Sequence, residues 1–457
     1  MRLGRDRSSA ARAAAAAAGL CLALAALAAC DSSPAPHAAD AGTTCNGQLS
    51  GPGPTYVTAW YHTGTPAEKR VLNEQVAAFN RSQRQVRVKL TDIPEDRYSR
   101  EVQAAAATGN LPDVLDLDGP FLYNYAFSGV LRPLNSCVSP RLRADLLPSL
   151  LEQGTYAGRL WGIGTIDSGL GLYVRPSVLH RIGARIPSGP SDAWTASEFT
   201  RILYRLRQAG YRQPLDLQMN AAGESGNREW FTYGFAPVIW SAGGDLISRS
   251  SYRTARGVLN SPASVRALTT VQHWFRAGLV SPNRDDRAFV SGRSPISWVG
   301  HWMYQTYHQA FPHDLRIVPL PRFGPRPASG LGSYQWGITS SATDGEAAWR
   351  FLAYLLRDRQ ILQLTRADGA IPATRSAIRQ SPEFAAGGPE HTYVQELEDG
   401  TARPRPQTPA YPAVTAAFTT AFLRIARGED VRRALDTAVR QIDENLAANH
   451  YYRPSGP

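Results

Sequence analysis

After residue 54 the apolar positions follow two periods, one typical of strands and one typical of helices. Residues 55–60 and 86–90 have the residue composition and alternation of β-strands. Between them, three apolar residues recur at helical spacing: Leu72, Val76 and Phe79. Thr65 and Glu68 have the spacing of a capping box at the start of this helix. Strand, helix and strand in this order predict a βαβ unit with a parallel strand pair.

The same alternation of strand and helix signals continues along the chain. Residues 112–118 predict another strand, which ends in Asp116 and Asp118. Residues 159–174 form a long, glycine-punctuated extended stretch that is suited to crossing between domains. Four further segments have helical patterns: 194–210, 261–278, 346–358 and 431–446. The pattern therefore indicates an α/β protein with a helix-rich second half, and it places Trp194, Trp274 and Trp349 in the core.

The first 30 residues have the organisation of an export signal. Four arginines precede an apolar stretch, residues 13–29, which is shorter than the roughly 20 residues of a typical membrane span. Residues 27–30, Leu-Ala-Ala-Cys, resemble the bacterial lipobox, in which the cysteine is acylated and becomes the mature N-terminus. We therefore predict a lipoprotein signal peptide over 1–29, lipidation of Cys30 and a flexible spacer over 30–54. An ordinary signal peptide or an uncleaved anchor is the alternative.

Length, charge and cysteine content narrow the class of protein. A chain of 457 residues exceeds one hydrophobic core and suits two domains. The formal charge is +11, but the arginines are scattered, so a solvated surface is favoured over nucleic-acid binding. Beyond the signal and Cys30, only Cys45 and Cys137 remain, and in an oxidising compartment they allow one disulfide.

Motifs of common enzyme classes are missing from the sequence. It contains no GxSxG, HExxH, CxxC or P-loop pattern, and its nine histidines are dispersed. We therefore expect no metal and no cofactor. A secreted glycoside hydrolase remains a rival, because it needs only two carboxylates, which Asp167, Glu229 and Asp245 could supply.

Several stretches, taken in order, resemble one family. They are AEKRVLNEQVAAFN, GNLPDVLDLD, SGVLRPLN, YAGRLWGIG, GLYVRPSVLHRIGARIP, AWTASEF, WSAGGDLI, AFVSGRSPISWVGHW, VPLPRFG, GITSSATDGEAAWRFLAYLL and GAIPATRSA. Over residues 55–450 the chain resembles family 1 extracellular solute-binding proteins, the maltose-binding type of ABC-importer receptor. The resemblance implies a two-lobe periplasmic-binding-protein type II fold, with the ligand cleft between lobes joined by hinge segments. Lobe I is then expected at 55–166 and 320–365, and lobe II at 167–319 and 366–457.

The resemblance also implies a function. The chain is expected to be a monomeric, lipid-anchored receptor on the extracellular face of the cell membrane. It would capture a carbohydrate, deliver it to the ABC transporter permease subunits and catalyse no reaction. A glycerophosphodiester receptor of the same family is the main alternative. A glycoside hydrolase and a surface protein that recognises glycans on other cells are further ones.

Ligand contacts are expected where this family places its cleft residues. A sugar site needs flat aromatic rings for C–H faces and polar side chains for hydroxyl groups. The candidates are Trp60, Tyr61, Asp118, Asp167, Glu229, Tyr233, Trp240, Trp302, Tyr334, Trp336 and Arg375. For each, the alternative is a structural role, such as core packing for tryptophan or capping and ion pairing for the charged residues. The same stretches also contain His62, Asp116, Trp230 and His301.

Overall fold

The computed structural model describes residues 43–219, 229–281, 287–332 and 334–453. The predicted signal peptide and Cys30 lie outside these ranges. Within them, no helix is both long and apolar enough to cross a membrane.

Strands and helices alternate over the first third of the chain, and helices dominate the end. The strands are β1 (Thr55–Thr63), β2 (Val86–Pro94), β3 (Val114–Asp118), β4 (Thr155–Tyr156), β5 (Arg159–Leu160), β6 (Ile166–Asp167), β7 (Leu170–Val174), β8 (Leu215–Asp216), β9 (Ile296–Gly300), β10 (Arg316–Val318), β11 (Ser329–Leu331), β12 (Tyr334–Ile338), β13 (Ile371–Pro372) and β14 (Ala402–Pro404). The helices are α1 (Pro66–Ser82), α2 (Glu95–Thr108), α3 (Leu122–Phe127), α4 (Pro140–Asp145), α5 (Pro148–Gln153), α6 (Pro176–Arg181), α7 (Ala196–Gln208), α8 (Glu229–Ser241), α9 (Pro262–Arg276), α10 (Tyr304–Ala310), α11 (Gly345–Leu355), α12 (Asp358–Asp368), α13 (Arg375–Ile378), α14 (His391–Glu398), α15 (Tyr411–Ala426) and α16 (Val431–Ala448).

The first sheet contains the predicted βαβ unit. Its strand order is β12-β3-β1-β2, and β1 pairs in parallel with both β2 and β3. The helix between β1 and β2 begins with the predicted capping box. The Thr65 hydroxyl accepts from the Glu68 amide at 3.1 Å, and the Glu68 carboxylate accepts from the Thr65 amide at 3.2 Å. Local sequence therefore fixes where α1 begins, and its apolar face is buried against the sheet.

A second sheet has the order β10-β7-β9-β8 and mixed strand directions. Its central pair, β7 and β9, is antiparallel, whereas β8 runs parallel to β9. The chain passes from β3 in the first sheet to β7 in the second, and from β10 back to β12. Between the sheets, Ile163 pairs with Trp336 and Gly169 pairs with Leu331. This is the mixed α/β architecture with crossing segments that the sequence predicts; the lobe boundaries themselves stay a prediction.

Helices pack on both sheets; the first sheet with its helices is called the first half below, and the second sheet with its helices the second half. In the first, α12 packs on α1, where the Gln75 side chain donates to the Gln360 carbonyl at 2.8 Å. In the second, α15 packs against α8, α9 and α16. The three tryptophans assigned to the core, Trp194, Trp274 and Trp349, are all buried as expected. Every residue of α8 is buried, so this helix has no polar face and no amphipathic pattern by which the sequence could reveal it.

The segment before β1 is attached to the body, where the sequence analysis expects a flexible spacer. Cys45 and Cys137 form a disulfide with a Cα–Cα distance of 5.0 Å. The Gly47 amide donates to Glu346 at 3.1 Å, and the Ser50 amide donates to Asp344 at 2.8 Å. These bonds hold residues 45–50 on the surface of the first half. Glycine, serine and proline content suggested a linker there, but one covalent bond outweighs that tendency.

Candidate ligand-binding site

A cavity of about 410 Å³ is lined by residues at or next to the strand ends of both sheets. The carboxyl ends of β1, β3 and β9 open into it, as do the first turns of α1, α2 and α8. The end of α12 and the segment after β14 complete it. Its described lining residues are His62, Thr63, Gly64, Thr65, Glu68, Glu95, Asp118, Ile166, Ser168, Glu229, Trp230, Tyr233, His301, Trp302, Gly332, Tyr334, Asp368 and Arg405.

Three aromatic rings form one wall of the cavity. The half-buried Trp302 ring lies 5.8 Å from the Trp230 ring and 6.2 Å from the Tyr233 ring, measured between centroids. Gly300 at the end of β9 permits this arrangement, because a Cβ there would lie 2.1 Å from the Trp302 ring. The wall therefore offers flat apolar surface of the kind that stacks on the C–H face of a sugar.

Arg405 occupies the side of the cavity at which the two halves meet. Its guanidinium donates to both oxygens of Asp118, at 2.8 and 3.2 Å, and to Glu229 at 2.8 Å. Tyr411 and Thr415 also donate to the Glu229 carboxylate. Burial raises the pKa of Glu229 to about 7 even though the charge of Arg405 lowers it. One cation thus ties the end of β3 to the start of α8.

His62 carries a positive charge at the end of β1. Its Nδ1 bonds Asp116 at 2.5 Å, while its Nε2 lies 3.6 Å from Glu68 and 4.0 Å from Glu95. Burial alone lowers the pKa of His62, but the three carboxylates outweigh burial and raise it to about 10. The imidazolium stacks on the Tyr334 ring at a centroid distance of 3.3 Å, which presents a flat polar surface to the cavity.

A second histidine–carboxylate pair closes the opposite side, where α12 ends. The Nε2 of His301 lies 3.1 Å from Asp368. Asp368 is the last residue of α12, and Gly369 follows it in the left-handed conformation that ends the helix. The backbone of Gly369 is close-packed, since a Cβ there would lie 2.8 Å from the His301 carbonyl oxygen.

Five of the predicted site residues line the cavity: Asp118, Glu229, Tyr233, Trp302 and Tyr334. The other six lie elsewhere. Trp60 is three residues before the end of β1, and Trp336 is two residues beyond the start of β12, so neither ring is at the end of its strand. Tyr61 and Trp336 line a neighbouring space of only about 30 Å³.

The remaining three expected contacts, Asp167, Trp240 and Arg375, lie outside the cavity. Asp167 is fully buried and points away from the cavity that its neighbours line; it accepts hydrogen bonds from Ser149 and Gln153. Trp240 lies 11 residues beyond Glu229 along α8, about 16 Å away, and donates to Asp245. Arg375 is exposed and lines a separate surface groove.

Other cavity residues were not among the predicted contacts. His62, Trp230 and His301 are sequence neighbours of predicted contacts, whereas the sequence contains no functional signal for Glu68, Glu95, Asp368 and Arg405. Glu68 and Asp368 look like ordinary helix-terminal residues in the sequence. Arg405 lies 287 residues from Asp118 and 176 from Glu229, within a proline-rich stretch, so only the fold reveals their contact.

The described residues contain no group of three or more His, Cys, Asp or Glu side chains arranged to hold a metal ion. The arrangement is instead that of a cleft for an organic molecule, with flat rings on one side and hydrogen-bonding groups around them. Asp245, a candidate catalytic carboxylate in the sequence analysis, is held by Trp240 and by Arg249 at 2.8 Å and is not among the lining residues.

A family model described as bacterial extracellular solute-binding protein matches residues 74–389. Among curated proteins, the chain is similar to an uncharacterised lipoprotein in the oleD 5′ region of Streptomyces antibioticus. The two are 22% identical over 335 residues, which is 70% of each chain.

Solved structures of the same fold cover most of the chain. A cyclic α-maltosyl-1,6-maltose binding protein from Arthrobacter globiformis has a TM-score of 0.71 and 23% identity, over 87% of this chain and 100% of that one. UgpB from Mycobacterium tuberculosis, solved with glycerophosphocholine, has a TM-score of 0.73 and 20% identity, over 88% of this chain and 100% of that one. At these identities the likeness establishes the two-lobe fold.

Proposed function

This chain belongs to the bacterial extracellular solute-binding protein family, and we propose that it is the receptor of an ABC importer for a carbohydrate. The sugar-binding structures among its fold relatives support this role. The receptor binds an oligosaccharide or sugar derivative outside the cell, delivers it to the permease subunits and leaves it chemically unchanged. It acts as a monomer, which light scattering of the purified chain tests directly.

The aromatic wall of the cavity is the observation that carries the proposal. Trp230, Tyr233 and Trp302 present ring surface next to carboxylate, histidine and hydroxyl groups. A sugar needs this combination, because it has apolar C–H faces and a rim of hydroxyl groups. A volume of about 410 Å³ lies within the range of small-molecule sites and accommodates a disaccharide-sized ligand.

Binding across the cavity couples the ligand to domain closure. Asp118 and Tyr334 belong to the first sheet or its edge, whereas Trp302 and Tyr233 belong to the second half. A ligand that contacts both halves favours the closed arrangement by its differential affinity for that state. The permease can then distinguish loaded from empty receptor by shape.

A glycerophosphodiester receptor is the second candidate, and the cavity disfavours it. Its predicted phosphate partner, Arg375, is exposed in a separate groove. Arg405 does line the cavity, but its guanidinium already serves Asp118 and Glu229. A phosphate would also meet the carboxylates of Glu68 and Asp368. Like charges at short range weaken such a complex.

The proposal predicts stoichiometric binding without turnover. We expect at least one sugar to raise the melting temperature of residues 31–457 by a few degrees, because a ligand at about 100 times its Kd stabilises by about 2.7 kcal/mol. A screen of sugars and glycerophosphodiesters by thermal shift, with chromatography of the sugar afterwards, provides the measurement. Consumption of the glycan, or stabilisation by glycerophosphodiesters alone, would contradict the proposal.

We further propose that the receptor is tethered through lipid on Cys30, which the similarity to a lipoprotein supports. Two or three acyl chains hold a protein on a membrane far better than one. Cys30→Ser is therefore expected to move the protein from the membrane fraction into the medium, while wild type stays bound. Immunoblotting of both fractions checks this, with Cys21→Ser as the matched control because Cys21 lies inside the predicted signal. A Cys30→Ser protein that stays membrane-bound would refute the anchor.

A further inference from the structure

Within the described part of the chain, Glu68 and Asp368 bring two buried carboxylates into the cavity without a lysine or arginine partner. Glu68 is in the first turn of α1 with a side chain 12% exposed, and Asp368 ends α12 with a side chain 6% exposed. Among the described residues, the basic partner of each is a histidine: His62 at 3.6 Å from Glu68, and His301 at 3.1 Å from Asp368.

This placement is unfavourable for the empty protein. The carboxyl end of a helix carries partial negative charge, so a carboxylate at the end of α12 is repelled by its own helix. Burial, together with the charges of Asp368 and Asp116, raises the pKa of Glu68 to about 8 even though the charge of His62 lowers it. A positive group placed between the two side chains would relieve both effects.

The acidity is local to the cavity. Its described lining residues carry five carboxylates against one arginine and two histidines, and the arginine is already bound to two of the five. The whole chain, in contrast, has a formal charge of +11. Overall composition therefore does not explain the acidic lining.

His301 supplies an independent sign of a missing partner. It lines the cavity and is 5% exposed, yet its Nδ1 has no hydrogen-bond partner within the described part of the chain. In the neutral ring, Nε2 donates to Asp368 and Nδ1 is left as an acceptor. Buried acceptors in native proteins are nearly always satisfied, so a ligand donor is the expected complement.

Resting on the proposed function, we infer that the ligand is an amino sugar whose protonated amine lies between Glu68 and Asp368, with its ring against Trp302. A primary ammonium has three N–H donors for these acceptors, whereas a quaternary ammonium has none. A metal ion is disfavoured, because the described residues contain no group arranged to hold one. Neutral sugars bring no further positive charge to either carboxylate.

Matched probes test the charge separately from the sugar skeleton. Thermal shift of residues 31–457 is measured with pairs that differ only at the amine-bearing positions: glucosamine and glucose, galactosamine and galactose, deacetylated and acetylated chitobiose, and Tris and pentaerythritol. In each pair that stabilises the protein, we expect the amine to give the same thermal shift at about one tenth of the concentration of its neutral partner, or at a still lower one. Charge-assisted hydrogen bonds predict this difference. Equal or stronger stabilisation by the neutral members, or by glycerophosphocholine, would overturn the inference.

Isosteric variants locate the effect. Asp368→Asn and Glu68→Gln keep the shape of each side chain, and glutamine still fits a capping box. Both are expected to abolish the amine preference while the ligand-free melting temperature stays the same or rises, which shows that they fold. Glu198→Gln is the matched control, since Glu198 occupies the same position in α7 and pairs with Arg185 instead. An unchanged preference in Asp368→Asn and Glu68→Gln would refute the site.

The outcomes also separate this inference from the proposed function. If neutral sugars bind best, the amine inference fails and the carbohydrate receptor stands. If no amine polyol stabilises the protein at millimolar concentration, the inference fails, because the carboxylate pair would bind the amine on any skeleton. If neutral sugars and glycerophosphodiesters also give no thermal shift, the proposed receptor function fails together with the inference.

Discussion

Arg405→Met is expected to lower the free energy of unfolding by about 3–5 kcal/mol, the cost of removing one partner of a buried ion pair. The Arg405 side chain is 3% exposed, and the carboxylates it bonds are 13% exposed for Asp118 and 5% for Glu229. Without the guanidinium, both charges stay buried and lose their cation. Urea unfolding at about pH 8 measures the change, because this pH lies above the wild-type folded-state pKa of Glu229, which is about 7.

The pH dependence of this variant has a definite sign. Burial holds the folded-state pKa of Glu229 at about 7, above its ordinary 4.5, and loss of the arginine raises it further. A carboxyl group with a raised pKa binds its proton more tightly in the folded protein, so stability is lost as the pH rises and regained as it falls. The deficit of Arg405→Met should therefore shrink on acidification towards about pH 5.

Arg403→Met is the matched control, two residues away. The Arg403 side chain is 37% exposed, and its carboxylate partner Asp245 also binds Arg249. We expect a loss below about 1 kcal/mol, as for other exposed ion pairs. Adding Glu229→Gln to Arg405→Met should recover part of the stability. Equal effects of the two arginine replacements would show that the buried network does not join the halves as described.

Trp302→Ala is expected to weaken ligand binding by about 2 kcal/mol or more, roughly 30-fold in Kd, as for other central aromatic contacts. The ring is half-buried and packs beside Trp230 and Tyr233 in the aromatic wall of the cavity. Its removal takes away the stacking surface without touching the charged groups. Calorimetric titration with the best ligand of the thermal-shift screen measures the loss.

Trp60→Ala serves as the control for Trp302→Ala. Both tryptophans are half-buried and both were candidate contacts in the sequence, but Trp60 packs near Tyr98 and does not line the cavity. Trp60→Ala should lower the melting temperature and leave Kd unchanged. If Trp302→Ala binds as tightly as wild type, the aromatic wall is not the ligand contact, even though the family assignment stands.

Local structure was predictable where neighbouring residues decide it. The capping box of Thr65 and Glu68 begins α1 where the spacing indicates, and alternation in β1 and β2 yields the parallel pair. α8 escaped detection because a helix buried on all sides has no polar positions to mark its period. Its burial follows from packing against α9 and α15, which local sequence does not report.

The cavity was predictable only in part, because its residues meet through the fold. Resemblance and position at strand ends were sufficient to predict that Asp118, Trp302 and Tyr334 line the cavity. These two signals were not sufficient where a shift of two residues decides whether a side chain reaches the strand end, as for Trp60 compared with His62. Arg405 and Asp368 come from distant segments, so only the assembled structure brings their charges to the cavity.

If Cys30 carries the proposed lipid, the attachment of residues 45–50 to the body by the disulfide between Cys45 and Cys137 limits the distance between the protein and the membrane. The first described residue on the body is Thr43, which is buried, so a lipid on Cys30 would be separated from it by 13 residue steps. Even a fully extended chain of that length spans no more than about 45 Å. The binding domain would therefore be held by a short linker, within one protein diameter of the bilayer. The length of that linker, and not the amount of receptor that the cell secretes, would set the effective concentration of the domain at a neighbouring permease.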